Sequence, residues 1–380
     1  MADLVIVGGG IMGLWAGVHG VRAGMETLVL DAGHPGSGAS GGLLGALMPH
    51  LPERWNEKKQ FQLEALASLE GEIAALEAAT GLSAGYRRTG RLLPLSKPHH
   101  RVLAEARAAQ AATLWQVADQ VFSWRVMDRP EVEGWPDPAA CEAGVVVETL
   151  AGRVSPRAMI ALLVRFLEMS PLASIRPHAK VVAVEGGGSA VVLADGERIG
   201  FGHCVIAAGP GAFPLIDGLV PDRAAASGRP VKGQAALVAG GGAEGLPVLF
   251  QDGLYIVPHD NGTVAIGSTS EDAFDDPFGT DGQLDDLLSR AVALAPALAG
   301  APVMERWAGL RPRAIGREPM VGRLGAHPAV SVLAGGFKVS FGLAHLLAEA
   351  VIDEVARQPP KRKLPASFDV GEHIRLMRRG

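Results

Sequence analysis

Three glycines and an aspartate carry the first legible chemistry in the chain. Gly8, Gly10 and Gly13 form G-x-G-x-x-G in "VIVGGGIMG", directly after the apolar run 4–7. A second apolar run, "TLVLD", ends in Asp31. In that order Gly8 allows a tight turn and Gly10 lets a pyrophosphate approach the amides of a helix N-terminus. Gly13 allows close helix–strand packing, and the acid accepts hydrogen bonds from an adenosine ribose. The second group is Arg311, Arg313 and Arg317 in "WAGLRPRAIGREP". A guanidinium matches a carboxylate with two parallel hydrogen bonds and keeps its charge when desolvated. The glycines and the acid describe a dinucleotide site; which anion, if any, the arginines face stays open at this point, and Arg317 reads as a surface or interdomain pair with Glu318.

Elements must bring the two together. Residues 4–7 read as a strand buried on both faces, followed by a helix through "LWAGVHGVRAGM" and the strand ending at Asp31, a βαβ unit. Gly13, Gly17, Gly20 and Gly24 recur at helical spacing and predict a small-residue face against the sheet, with His19 as a packing residue. A second glycine-rich stretch, "GHPGSGASGGLLGALMPHL", offers backbone amides, Ser37 and Ser40 to a long cofactor. "FQLEALASLEGEIAALEAATG" places Leu66, Leu69, Ile73 and Leu76 on one helical face, closed by Gly81. "GYRRTGRLLPL" reads as a turn and strand, with Arg87, Arg88 and Arg91 in solvent. Ser155 and Pro156 read as N-cap and first residue of a helix.

Beyond residue 226 the pattern changes to strands separated by short turns, over 231–238, 254–257, 263–268 and 303–307, with one helix near 284–294. The Trp-Ala-Gly before the arginines reads as the end of the last of these strands. "AVSVLAGG" is a further strand, and "GLAHLLAEAVIDEVA" reads as the last helix, with Gly342 near its start. The fold class expected is α/β: a Rossmann-like dinucleotide-binding domain (residues 1–85, 150–225 and 320–380) interleaved with an antiparallel-sheet substrate domain (86–149 and 226–319).

Composition narrows the function. The formal net charge of −5 with 20% charged residues argues against a surface built to neutralise nucleic-acid phosphates. The two cysteines, Cys141 and Cys204, suggest neither a disulfide framework nor a metal cluster. No basic leader precedes "LVIV" and no apolar run is long enough to span a bilayer, so a cytoplasmic protein is expected.

The motifs "VIVGGGIMG", "SGASGG", "GRVSPRAMIALL", "VIAAGPGA", "PVKGQ", "YIVPHDNGTVAIGSTSE", "WAGLRPRAIGREPMVG" and "AGGFKVSFGLAHLLAEAV" stand in this order. In them the chain resembles the D-amino-acid oxidase family of flavoproteins, in its glycine oxidase and sarcosine oxidase branch. The resemblance implies FAD, held non-covalently because neither cysteine stands in the C-terminal third, where some sarcosine oxidases attach it. It carries cofactor contacts onto Gly8, Gly10, Ile11, Met12 and Gly13, then Asp31 and Ala32, then Ser37, Ala39, Ser40, Gly41 and Gly42. Further contacts fall on Val181, Ala208, Gly209, Arg311, Gly335, Gly336, Phe337, Lys338 and Val339. The final helix would point its N-terminus at the flavin, where its dipole favours negative charge.

By the same resemblance Arg311 pairs with a substrate carboxylate, and Tyr255 assists it. Lys338 stands where glycine oxidases carry a second basic residue. His259 replaces the arginine usual after "YIVP", and His50 lies near the flavin loop; both are substrate-site candidates. The implied reaction oxidises a small amine bearing a carboxymethyl group, of the glycine, sarcosine or iminodiacetate type, with O2 as acceptor. Three alternatives remain open: a D-amino-acid dehydrogenase passing electrons to a quinone, a tRNA carboxymethylaminomethyl-uridine oxidase, and a flavin carrier without its own substrate. The "GASGGLLGALMPHL" loop is similar to the tRNA group, although the methyltransferase domain attached there is absent.

Overall fold

The computed structural model describes residues 2–380. Its first sheet is mixed. Ala2–Val7 lies parallel to Thr27–Leu30 on one side and to Arg198–Ile206 on the other. Ala173–Arg176 extends it beyond Thr27–Leu30, and Val330–Ala334 runs parallel beside Arg198–Ile206. Antiparallel strands Val181–Glu185, Ala190–Leu193 and Met320–Arg323 complete it. Leu4, Val5 and Ile6 are wholly buried, as a strand covered on both faces requires.

The helix Ile11–Arg22 crosses between the first two strands and is buried along nearly its whole length. Gly13 permits this: a Cβ there would sit 1.9 Å from the Gly8 carbonyl oxygen. Gly17 and Gly20 also face close neighbours, but Gly24 does not. It lies past the helix end, at φ 77 with open space around it, and serves the left-handed turn instead of the packing face. His19 is buried and stacks on Trp15, as a packing residue should.

The second sheet has the strand order Val303–Ala314, Gly228–Ala239, Thr263–Gly267, Leu254–Pro258, Val248–Gln251, Arg91–Pro94, Val145–Glu148, Trp124–Met127. All neighbours are antiparallel except Val248–Gln251 with Arg91–Pro94. The first of these strands does not end at Trp-Ala-Gly. It runs through Arg311 to Ala314, with Val231 opposite Arg311 and Pro230 opposite Pro312. Pro312 is tolerated because this is an edge strand.

The helix Glu57–Thr80 is capped by the Asn56 side chain, which accepts from Lys59 N at 3.1 Å, and closes at Gly81 with φ 74. Its Leu66, Leu69, Ile73 and Leu76 share the main core with the helix Ser340–Val355. Ser155 stands at the N-cap of Pro156–Glu168, but its hydroxyl makes no capping bond. Ser340–Val355 is not the last helix. Val370–Arg379 follows it, capped by Asp369, with Val370, His373 and Met377 buried. The capping pattern "DVGE" was the signal available for it. Among the described residues no helix is long and apolar enough to cross a membrane.

Candidate active site

One cavity of about 970 Å³ lies between the sheets. The glycine fingerprint lines one part of it and Tyr255 and Arg311 line another. Gly8 turns at φ 112, where a Cβ would meet the Ala207 carbonyl oxygen at 2.5 Å. Gly10 is the N-cap of the following helix, so the helix N-terminus opens onto the cavity. Ile11 N donates to Ser40 Oγ at 3.0 Å, which ties the second glycine-rich loop to that terminus. Asp31 lines the cavity while its carboxylate accepts from Gly9 N at 2.7 Å and Gly33 N at 2.9 Å. Each oxygen keeps a further lone pair for a ligand hydroxyl.

Of the expected cofactor residues, three stand off the cavity wall. Gly13 is buried in the helix–strand contact. Ser37 is exposed in a turn closed by its own amide on the His34 carbonyl. Gly41 packs where a Cβ would sit 2.3 Å from the Gly36 oxygen, so its role is to fold the loop. Ala32, Ala39, Gly42, Val181, Ala208 and Gly209 do line it, as do Met12 and residues 335–339. Gly209 stands at φ 57 with no atom within 4 Å of a would-be Cβ. Phe337 also adopts a left-handed backbone, φ 44, and its ring lies 5.5 Å from the Arg311 guanidinium carbon, 5.8 Å from that of Arg313 and 5.6 Å from Lys338 Nζ.

Among the described residues Arg311 has no carboxylate partner. Nη1 donates to Ser268 Oγ at 2.9 Å, and Nη2 donates to the carbonyls of Lys232 and Thr269. Nε is buried without an acceptor. The carboxylates nearest to it in sequence, Glu305 and Glu318, are occupied: Glu305 pairs with Arg157, and Glu318 with Lys58. Burial pulls the Arg311 pKa down to about 10, which still leaves a cation at neutral pH. Tyr255 packs on Phe250, with centroids 4.7 Å apart. Burial pushes its hydroxyl pKa up, against the pull of Arg91 and Arg311, so it presents a neutral donor. Lys338 reaches solvent, and partial burial together with Arg311 and Arg313 holds its ammonium below the usual range. His50 lines the cavity as a neutral ring, its pKa lowered to about 4 by burial, then by Lys58, Lys59 and Arg91.

Several sequence expectations need correction. His259 is not on the cavity wall. It is buried with Nε2 3.0 Å from the Leu43 carbonyl oxygen, where it braces the loop behind the cavity. Arg317 does not pair with Glu318; that carboxylate meets Lys58 at 2.6 Å. Arg313 pairs with Asp272. Arg87 is exposed as expected, but Arg88 turns inward to the carbonyls of Leu66 and Leu150. Arg91 is buried in an ion pair with Glu148, 2.9 Å apart, and lines the cavity. Sequence reasoning missed Arg91, although alternation along "RLLP" puts Arg91 and Leu93 on one strand face. Arg107 and Lys180 were also missed as cavity residues.

The family model for DAO, FAD dependent oxidoreductase, matches residues 3–350. The chain belongs to this family. As a DAO-family oxidoreductase it is similar to a glycine oxidase of Bacillus licheniformis, 27% identical over 373 residues and covering 96% of each chain. The solved glycine oxidase from Geobacillus kaustophilus superposes with a TM-score of 0.83 at 24% identity, covering 97% of this chain and 98% of that one. Iminodiacetate oxidase from Chelativorans sp. BNC1 gives 0.80 at 21% identity, covering 95% and 97%. At these identities the two structures speak for the fold.

This DAO-family oxidoreductase is FAD-dependent, and the cavity suits that cofactor. The glycine turn and helix N-terminus suit a pyrophosphate, and Asp31 suits a ribose. The cavity's length reaches the second sheet. Cys141 and Cys204 are buried away from it.

Proposed function

We propose that this oxidoreductase oxidises a small amine bearing a carboxymethyl group, of the glycine, sarcosine or iminodiacetate type. One observation carries the reading: Arg311 is a cation on the cavity wall with no carboxylate of its own. A substrate carboxylate would complete it, and Tyr255 would donate to the same anion. The likeness to glycine oxidase over almost the whole chain supports the choice of a glycine-type substrate.

Bound FAD supplies a two-electron acceptor: the substrate loses a hydride from its α-carbon and a proton from nitrogen, water hydrolyses the imine to an amine and a 2-oxo acid, and O2 takes the electrons to give H2O2. The protein's part is to bind and orient. Arg311 and Tyr255 fix the carboxylate, which aligns the α-carbon for transfer. Lys338 adds positive charge at the mouth. His50, neutral at the working pH, is able to accept or donate a hydrogen bond without carrying charge. Residues 1–85, 150–225 and 320–380 hold the flavin in this reading, without a covalent bond, and 86–149 and 226–319 cover it.

The test is anaerobic bleaching of the yellow protein by glycine, sarcosine, iminodiacetate, proline and D-amino acids, followed by air. Bleaching by N-carboxymethyl amines, with H2O2 formed on reoxidation, is the expected result. Bleaching by D-amino acids alone, or by none of these amines, would overturn it.

A further inference from the structure

The cavity is electrically lopsided. Its walls carry five cations, Arg91, Arg107, Lys180, Arg311 and Lys338, and the one acid, Asp31, belongs to the glycine fingerprint. Arg107 is matched by Glu53 at 2.9 Å. Arg91 is the unusual member. It is 4% exposed and fixed by Glu148, which is wholly buried and lies opposite it in the strand pairing. Glu148 cannot satisfy the whole guanidinium. Its Oε1 meets Arg91 Nε, while Oε2 accepts from Leu150 N and Ala151 N. Arg91 Nη2 is buried without an acceptor. The guanidinium is thus held by charge contact with Glu148, while its Nε and Nη2 are both buried without a hydrogen-bond acceptor, on the cavity wall.

Its placement relative to Arg311 gives these donors a use. Tyr255 stands on the strand between them: the sheet runs from Arg311's strand through Tyr255's to Arg91's. Arg91 and Arg311 both act electrostatically on the Tyr255 hydroxyl, and Arg91 acts on His50. The two guanidinium groups therefore approach one chamber from opposite sides. From one side Arg311 rests its fork on Ser268 and Thr269, just past the end of the strand paired with Tyr255's; from the other, Arg91 stands two strands beyond Tyr255's.

Resting on the amine-oxidation reading above, we propose that Arg91 is a second anion anchor and that the substrate is a secondary amine with a carboxylate on each arm. Arg311 and Tyr255 hold the arm that is oxidised, and Arg91 holds the arm that remains on the released amine. Arg91 then determines specificity without touching the reacting carbon, and Glu148 positions it.

The experiment compares iminodiacetate with its monoamide, which has the same shape and lacks one charge. Anaerobic flavin bleaching gives an apparent Kd for each, and ligand-induced change in Tm gives a second readout that needs no turnover. The wild-type holoenzyme is expected to favour iminodiacetate by at least about tenfold. In the double variant Arg91→Met/Glu148→Gln, which leaves no unpaired buried charge, the ratio is expected to fall toward one. The ratio is taken within one preparation, so partial loss of fold cancels. Equal affinity of the wild type for both ligands overturns the proposal, as does a preference that survives in the double variant. Should glycine and sarcosine bleach the flavin without a dicarboxylate preference, only the Arg91 anchor fails. Should no amine bleach it, the functional reading fails, and the Tm ratio decides the subsite by itself.

Discussion

Arg311 and Ser268 meet at 2.9 Å, Nη1 donating to Oγ, with Ser268 just past the end of Thr263–Gly267, a strand that is not a neighbour of Arg311's in the sheet. The contact holds one end of the guanidinium fork while two carbonyls hold Nη2. Replacing Arg311 by Ala is expected to lower kcat/KM by about 2–5 kcal/mol, because a buried carboxylate loses its partner. Arg311→Lys restores charge without the planar fork and should recover only part. Steady-state kinetics on the best amine decide the matter; an Ala variant with wild-type kcat/KM would remove Arg311 from the site.

Gly13→Ala tests the cradle from the other side. The new Cβ would lie 1.9 Å from the Gly8 oxygen, so the turn or the helix must move. Overpacking of this kind costs about 1–3 kcal/mol. The expected result is a lower Tm together with a fall in flavin absorbance relative to protein absorbance. A variant that keeps both values would show that the turn has more room than the contact implies.

Stability should depend on pH in a defined direction. Burial lowers the pKa of His19 and His203 to about 4, and of His345 to about 3. The unfolded chain protonates its histidines near 6.5, so between pH 6.5 and about 4 it binds more protons than the folded protein. Stability therefore rises with pH in that window and is lost on acidification. At pH 5.5 each such group costs on the order of 1 kcal/mol. Thermal melts at pH 7.5 and 5.5 check this; an unchanged Tm would contradict the buried, neutral state of these rings.

His259 should affect the fold and leave substrate choice alone. Its Nε2 meets the Leu43 carbonyl, and removing it strands a buried acceptor at a cost of about 1–3 kcal/mol. His259→Ala is expected to lower Tm while leaving the ratio of glycine to sarcosine turnover unchanged. A shifted ratio would return His259 to the substrate pocket.

The first sheet was readable because its signals are local. Apolar runs, a glycine turn and an acid at a strand end all fall within residues 4–31. The antiparallel pattern after residue 226 was readable for the same reason. The extension of the last strand through Pro312 was not, because only the sheet order makes it an edge. Arg91 and His259 were misplaced for a related reason. Exposed and buried arginines look alike in sequence until a partner such as Glu148, 57 positions away, is brought opposite. Ser37 and Gly41 sit in the right loop, but which loop residues face inward depends on turns that composition does not specify. Asp369 and Glu372 did carry a local signal for the last helix, and the basic stretch before them obscured it.

The order of strands has a consequence for biogenesis. The first sheet draws on residues 2–30, 173–206 and 320–334, and the second on 91–148 and 228–314. Neither can close while the ribosome still holds the last third of the chain. The cavity wall at 335–339 follows the last strand of both sheets in the chain, so the flavin cradle is complete only once these residues are in place. We predict that a fragment ending at residue 319 retains no FAD, and yellow colour in such a fragment would refute this. Long-range pairing of this kind also slows folding.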